Sequence, residues 1–117
     1  MKELTKLEEE IMQVIWQIEK GFANEIMAAM PEPKPAYNTV LTIVRILEKK
    51  GYVAHHTYVK AHQYYTLVSK EEYSKRILTR VVKNYFNNSF RNLISAFADG
   101  KNLTLKDLDE LKNIINE

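Results

Sequence analysis

Three prolines within five residues, Pro31, Pro33 and Pro35, limit the fold of this chain more than any other feature. Proline lacks the backbone N–H that a helix needs, and it biases the residue before it towards extended geometry. Residues 31–35 must therefore form a stiff turn. A helix-rich fold of the 117-residue chain has to be built from separate segments on the two sides of this turn.

Two helices are predicted before the turn. Thr5 and Glu8 match the S/T-x-x-E pattern of a capping box, and apolar residues at helical spacing follow them. We expect a first helix over residues 6–19, stopped by Gly21, and a shorter second helix over residues 24–30. Each has an apolar side to bury.

A third helix and a β-hairpin are predicted after the turn. The helix spans residues 37–50, and Gly51 takes the position after its end that glycine commonly occupies. From residue 51 to residue 69 the sequence is rich in β-branched and aromatic residues, which is typical of strands. Residues 60–63 are predicted to form the hairpin turn, whose type stays open because the Asn-Gly signature is missing.

The C-terminal part is predicted to be helical. A second capping box, Ser69 with Glu72, precedes a long helix with a broad apolar face, and residues 87–89 predict a break after it. A short helix ending at Gly100 and a last helix starting at Thr104 follow.

The order α-α-α-β-β-α-α-α predicts a mainly α fold. Three helices and a two-stranded β-hairpin form the winged helix-turn-helix pattern, in which the hairpin is the wing. We expect a winged-helix DNA-binding domain over residues 1–69 and a C-terminal helical dimerisation domain over residues 70–117.

The third helix carries the pattern that indicates function. At about 100° per residue, one narrow stripe is polar, opposite the apolar residues. Asparagine can form two hydrogen bonds with the edge of an adenine, and threonine can offer a hydroxyl or a methyl group to a base. Arginine and lysine can bind phosphates. We therefore predict a helix that reads the major groove, with an ordinary solvated face as the alternative. The stripe consists of Asn38, Thr42, Arg45 and Lys49.

Further DNA contacts are predicted at the start of this helix and in the wing. Tyr37 and Thr39 could also reach the groove, and Lys60 is the fixed charge of the wing. Residues 33–62 contain five Lys or Arg and one Glu, a local charge of +4, whereas the whole chain has a net charge of +2. The predicted DNA-binding residues are Tyr37, Asn38, Thr39, Thr42, Arg45, Lys49 and Lys60.

Three histidines in the wing, His55, His56 and His62, have no role that the sequence assigns. A metal site is disfavoured, because adjacent residues of a strand point to opposite faces and neither cysteine nor a nearby carboxylate completes a ligand set. Tyr64 and Tyr65 are expected to pack the wing on the core rather than to stack on bases.

The chain lacks the motifs of several other classes of protein. It contains no cysteine and three glycines, so a Cys-ligated metal and a glycine-rich phosphate loop are both excluded. We find no nucleophile elbow, and no stretch reaches the ~18 apolar residues of a membrane span. We expect a cytoplasmic protein without catalytic activity, cofactor or metal.

Several segments, taken together, resemble the penicillinase-repressor family of bacterial transcriptional repressors, the BlaI/MecI type with a copper-responsive branch. The most specific segment is Tyr37-Asn38-Thr39-Val40-Leu41-Thr42 followed by Ile46-Leu47-Glu48-Lys49-Lys50-Gly51. The resemblance continues through Tyr64-Tyr65-x-Leu67-Val68-Ser69 and ends in Leu93-x-x-x-Phe97. It covers nearly the whole chain.

This resemblance implies a homodimer that represses nearby genes from a palindromic operator in double-stranded DNA. Three helices in under 50 residues cannot bury such apolar faces alone, which independently favours a partner chain. Two recognition helices would then lie roughly 34 Å apart, one turn of DNA, or a small multiple of it. The dimer-interface candidates are Tyr85, Phe86, Phe90, Leu93, Ile94, Leu108, Leu111 and Ile115.

The resemblance also implies a mode of induction. In family members of the resistance type, a membrane sensor-protease pathway cuts the C-terminal domain just before a phenylalanine, which Phe97 matches; a core role is the alternative for this residue. Ala96 stands where the best-known members carry asparagine. The copper branch uses C-terminal cysteines, which this chain lacks.

The wing departs from the family, in which arginines are common at the positions of His55 and His56. Phosphate contact there is expected to be weaker or pH-dependent. A protein-interaction module with the same fold but without specific DNA binding is therefore the alternative function.

Overall fold

The computed structural model describes residues 2–98 together with residues 106, 109, 110 and 113. It divides the chain into two compact units, Met1–Lys70 and Glu71–Glu117. The described residues are mainly helical, with one small antiparallel sheet, which confirms the predicted fold class. The elements are α1 (Lys6–Ile18), β1 (Lys20–Phe22), α2 (Ala23–Ala29), α3 (Tyr37–Lys49), β2 (Val53–Tyr58), β3 (Ala61–Thr66), α4 (Lys70–Tyr85) and α5 (Phe90–Ala98).

The core of the first unit lies among α1, α2 and α3. Each helix contributes its apolar side, as its periodicity predicts, and burial of these side chains is the main stabilising term. The long prolyl turn separates α2 from α3, so the two helices can pack on one another. The residues without exposed surface are Ile11, Met12, Ile15, Ile26, Val40, Val44 and Leu47.

The predicted start of α1 and the predicted end of α3 are confirmed in detail. The Thr5 hydroxyl accepts from the Glu8 N–H at 3.2 Å, and the Glu8 carboxylate accepts from the Thr5 N–H at 3.1 Å, which completes the capping box. Gly51 follows α3 with φ 88°, a left-handed conformation that glycine adopts without steric cost. The predicted stop of α1 at Gly21 is wrong, because Glu19 takes the left-handed φ of 73° that ends α1 and Gly21 lies within β1.

The sheet has three strands in the order β1-β3-β2, one more than predicted. Lys20–Phe22 forms a short strand whose residues pair antiparallel with Tyr65, Tyr64 and Gln63. Three residues are too few to show an alternating pattern, so this strand exists only because β3 offers it a free edge. Gly21 fits the closely packed start of the strand, since an added Cβ would lie 2.8 Å from the Ile18 side chain.

The predicted hairpin turn at residues 60–63 is wrong by two residues. Thr57 pairs with His62 and Tyr58 pairs with Ala61, so the turn is the two-residue loop Val59–Lys60. Val59 has φ 56°, which is unusual for a β-branched residue, and its side chain is 96% exposed. The usual glycine or asparagine is absent, which is why the turn could not be placed from its composition.

The second unit contains α4 and α5. Asn87 and Asn88 take left-handed φ values of 51° and 61°, so the predicted break between the helices is confirmed. The Ser89 hydroxyl then accepts from the Asn92 N–H at 3.1 Å at the start of α5. The predicted end at Gly100 and the start of a last helix at Thr104 lie outside the described residues. None of the described helices has both the length and the apolar character to cross a bilayer.

Candidate nucleic-acid interface

The α3 helix has two opposite sides. Val40, Val44 and Leu47 have no exposed surface, and Ile43 is half-buried. The other side, which we call the polar face of α3, is exposed to solvent along the whole helix, and its first residue, Tyr37, is 46% exposed. The polar face consists of Tyr37, Asn38, Thr39, Thr42, Arg45 and Lys49.

The prolyl turn is held against α2 by a lysine. Lys34 Nζ donates to the carbonyl oxygens of Ala28 and Met30, both at 2.6 Å. These carbonyls end α2 and have no partner within the helix, so a cation there satisfies them and complements the helix dipole. Lys34 therefore positions the start of α3 and is not a free charge on its surface.

Lys50, a second lysine of residues 33–62, also binds groups within the protein. Lys50 Nζ lies 2.5 Å from the carboxylate of Glu8, which is 4% exposed, and donates to the Glu3 carbonyl at 2.9 Å. Burial disfavours the charged carboxyl, but hydrogen bonds from Lys50 and from the Thr5 backbone outweigh it and lower the pKa of Glu8. Of the five cations of residues 33–62, Lys34, Arg45, Lys49 and Lys60 are exposed, and Lys50 is half-buried.

A cleft of about 430 Å³ lies between α3 and the wing. Arg45 enters it from α3, and Lys60 and His62 enter it from the hairpin. The structure thus brings Tyr37, Arg45 and Lys60 around one cleft, whereas Asn38, Thr39, Thr42 and Lys49 lie along α3 outside it. The lining residues are Phe22, Ala23, Asn24, Tyr37, Leu41, Arg45, Lys60, Ala61, His62 and Tyr64.

Tyr64 lies at the base of the wing, and only 1% of its surface is exposed. Its burial confirms that it packs the wing on the core. Burial raises the pKa of its hydroxyl and the nearby charge of Glu48 raises it further, whereas Arg45, which is hydrogen bonded to it, acts in the opposite direction. Tyr64 lines the cleft together with Arg45.

The wing histidines lie on both sides of the sheet, as strand alternation predicts. The His55 ring contacts Glu48 and stacks on His62 with 4.0 Å between ring centroids. His56 stacks instead on Tyr65 at 4.7 Å. In the described residues no three His, Cys, Asp or Glu side chains cluster closely enough to hold a metal ion. Sequence reasoning missed the contact with Glu48, because its partners lie on different elements.

The dimer candidates of the second unit differ in exposure. Tyr85 is 78% exposed and Phe97 is 51% exposed, whereas Leu93 is buried at 3%. Phe86, Phe90 and Ile94 are half-buried, and Ala96 is exposed. A core role for Phe97 within a single chain does not agree with its exposure. Leu108, Leu111 and Ile115 lie outside the described residues.

Three packed helices, a small antiparallel sheet and a hairpin beside the exposed polar face of α3 define a winged helix-turn-helix protein. Residues 4–117 match the family model described as penicillinase repressor, and the chain belongs to that family. This confirms the resemblance found in the sequence. The family is one of regulatory repressors and not of enzymes, as expected.

Individual relatives are similar to this chain over almost their full length. The methicillin resistance regulatory protein MecI of Staphylococcus aureus strain N315 is 27% identical over 116 residues, which are 98% of this chain and 94% of the relative. The penicillinase repressors of Staphylococcus aureus and Bacillus licheniformis are each 22% identical over 116 residues, covering 98% of this chain and 92% and 91% of theirs.

Proposed function

We propose that this protein is a DNA-binding transcriptional repressor that acts as a homodimer on a palindromic operator in the cytoplasm. The observation that carries the proposal is the exposed polar face of α3 beside the wing, with Arg45 and Lys60 on the two sides of one cleft. A helix of this width fits the major groove while the wing lies against the adjacent backbone. The bound dimer represses by excluding the polymerase from promoter DNA.

The side chains divide by chemistry into base readers and phosphate binders. Asn38, Thr39 and Thr42 carry short hydrogen-bonding groups on the first two turns of α3, where base edges would be within reach. Arg45, Lys49 and Lys60 carry the charge and bind phosphates, which positions the helix and makes affinity depend on salt. Tyr37, half-exposed at the edge of the cleft, contacts the sugar-phosphate backbone.

The second unit forms the dimer in this proposal. Tyr85 and Phe97 expose large apolar surfaces in a single chain, and burial against a partner would stabilise the assembly. Residues 1–69 then serve as the DNA-binding domain and residues 70–117 as the dimerisation domain. A two-fold axis would place the two α3 helices about 34 Å or a small multiple of that distance apart.

The bond between Ala96 and Phe97 is the proposed cleavage point for induction by a sensor-protease pathway. Both residues are exposed near the end of α5, so the backbone there is close to solvent. A cut would separate residues 97–117 from the rest of the dimerisation domain and weaken the dimer, which would release the operator. Mass spectrometry of the protein from induced cells would show a fragment ending at Ala96; an intact chain under every inducing condition would contradict this step.

The experiment that tests the proposal selects genomic fragments with the purified full-length protein. We expect enrichment of promoter fragments that contain an inverted repeat, and a footprint centred on it. Light scattering of the free protein should give twice the protomer mass of 13.7 kDa. Binding without preference for any fragment, or no binding at two salt concentrations, would instead support a protein-interaction module.

A further inference from the structure

One contact joins α3 to the wing and involves none of the residues proposed above to bind DNA. Both carboxylate oxygens of Glu48, in the last turn of α3, lie 2.8 Å from Nδ1 of His55 in β2. A carboxylate only accepts hydrogen bonds, so Nδ1 is the donor. One N–H shared between two oxygens fixes the position of the imidazole ring relative to α3.

The His55 ring also contacts the part of the hairpin over residues 57–62, which we call the outer wing. It stacks on His62 with centroids 4.0 Å apart and planes 8° apart. The register explains the contact: His55 pairs with Tyr64 and Thr57 with His62, so the two histidines are diagonal neighbours on one face of the hairpin. His62 then lines the cleft next to Lys60.

The outer wing has few other supports among the described residues. The short strand β1 pairs only with residues 63–65, so residues 57–62 pair only with each other, and all six are exposed. The Tyr58 ring contacts the Phe22 ring edge-on, with 6.0 Å between the two ring centroids. A two-stranded hairpin alone is marginally stable in water, so side-chain contacts decide where its tip lies.

Without the bond to His55, the negative charge of Glu48 would be unfavourable at this position. A negative charge in the last turn of a helix opposes the helix dipole. It also lies on the helix that is proposed to approach phosphates, which repel it. An interaction that offsets both effects is needed to explain a carboxylate at this position, and the bond to His55 supplies one.

We propose that Glu48 and His55 are positioning residues that hold the wing at a set distance from α3, so that Lys60 and the polar face of α3 engage one duplex together. This inference rests on the proposed function. A wing already in its bound position loses less conformational freedom when DNA binds, and affinity rises accordingly. Glu48 itself touches no DNA.

The test measures binding of the full-length protein to a 30-base-pair duplex of mixed sequence, by fluorescence anisotropy between 50 and 200 mM salt. Wing–phosphate contact does not depend on sequence, so this probe reports it without knowledge of the operator. Glu48→Ala should bind roughly 3- to 10-fold more weakly at 50 mM salt and should reduce the slope of log K against log salt by about 1 per wing. Glu48→Gln, which keeps an acceptor oxygen for His55 and loses the charge, should bind at least as tightly as the wild type.

Two further variants separate positioning from a merely structural or electrostatic role. His55→Phe keeps a ring for stacking but loses the N–H, and should behave like Glu48→Ala even if Glu48→Ala folds poorly. Tyr65→Phe, on the opposite face of the hairpin, is the control and should keep the wild-type salt slope. In a Lys60→Ala background, Glu48→Ala should have no additional effect, since the contact it positions is already gone.

The outcomes are distinct. If the wild type binds and Glu48→Ala binds as tightly as Glu48→Gln or more tightly, Glu48 acts only through its charge and the inference is overturned. The same holds if the effects of Glu48→Ala and Lys60→Ala simply add. If neither the wild type nor any variant binds duplex DNA, the proposed function fails first and the inference fails with it.

Discussion

Lys50, at the end of α3, donates a 2.5 Å hydrogen bond to the buried carboxylate of Glu8 in the first turn of α1. The two residues are 42 positions apart in the sequence, so the pair joins the start of the first helix to the end of the third. The same carboxylate also completes the capping box with Thr5. One ion pair thus ties the N-terminal cap to the helix that is proposed to read DNA.

Removal of Lys50 should destabilise the first unit strongly. Lys50→Met leaves the Glu8 carboxylate buried without its cation, a change that typically costs about 3 kcal/mol or more. Urea denaturation followed by circular dichroism would measure the loss. Lys49→Met, the exposed neighbour, is the control and should change the free energy of unfolding by less than about 0.5 kcal/mol. Equal effects of the two substitutions would contradict a special role for the pair.

The same pair should make stability depend on pH in a defined direction. The pKa of Glu8 is lowered below its ordinary value of 4.5 in the folded protein, so the unfolded chain binds the proton more readily. Its contribution is therefore complete above pH 4.5 and is lost as the pH falls through the lowered pKa. Glu8→Gln should remove this part of the acid dependence in melts between pH 3 and pH 7; an unchanged profile would refute the assignment.

Gly51 should be sensitive to substitution for a purely conformational reason. Its φ is 88°, and nothing lies within 4 Å of an added Cβ, so Gly51→Ala introduces backbone strain without a clash. We expect a loss of about 1 kcal/mol in thermal or urea unfolding. Gly51→Asn, which tolerates left-handed geometry better, should lose less. An alanine variant as stable as the wild type would show that this φ is not required.

Asn38 and Arg45 should fail in different ways when they are replaced. Asn38→Ala should cost about 1–3 kcal/mol on the selected operator and little on random DNA, because a base contact is lost. Arg45→Ala should weaken both and reduce the salt slope by about 1 for each protomer. Lys83→Ala, which removes a positive charge from α4, is the control for bulk charge. Equal losses on both DNAs for both variants would rule out this division of roles.

Tyr85 should affect assembly without affecting the fold of the protomer. The side chain is 78% exposed in a single chain, so Tyr85→Asp need not disturb the core, but it would place a charge in an apolar dimer interface. Sedimentation velocity at micromolar concentration should show a shift towards monomer. Asn84→Asp adds the same charge at the preceding position of α4, which is rotated by about 100° around the helix, and should leave the dimer intact. A dimeric Tyr85→Asp protein would place the interface elsewhere.

The helices were predictable because their signals are local. Periodic apolar residues, the Thr5–Glu8 capping box and the glycine after α3 act over a few residues, and each is found where it was expected. The polar face of α3 follows from the same periodicity. Its role in binding DNA stays a prediction.

The sheet was less predictable because strand pairing depends on distant residues. Nothing in Lys20–Phe22 itself distinguishes a strand from a loop, and only the edge of β3 makes it one. The hairpin turn was misplaced by two residues, because Val59 and Lys60 lack the composition of a tight turn. The partner of His55 was invisible for the same reason, since helix and strand meet only in the folded chain.

The sequence by itself determined the helical segments, their separation by prolines and the chemistry available on α3, because these depend on neighbouring residues. Only the tertiary structure decided which charged side chains bind groups within the protein and which face the cleft. It assigns Lys34 to the carbonyls of α2 and Lys50 to Glu8, and it brings Arg45 and Lys60 to one cleft. The physical reason is that hydrogen bonds and ion pairs form between atoms close in space, and distance along the chain does not reveal which atoms those are.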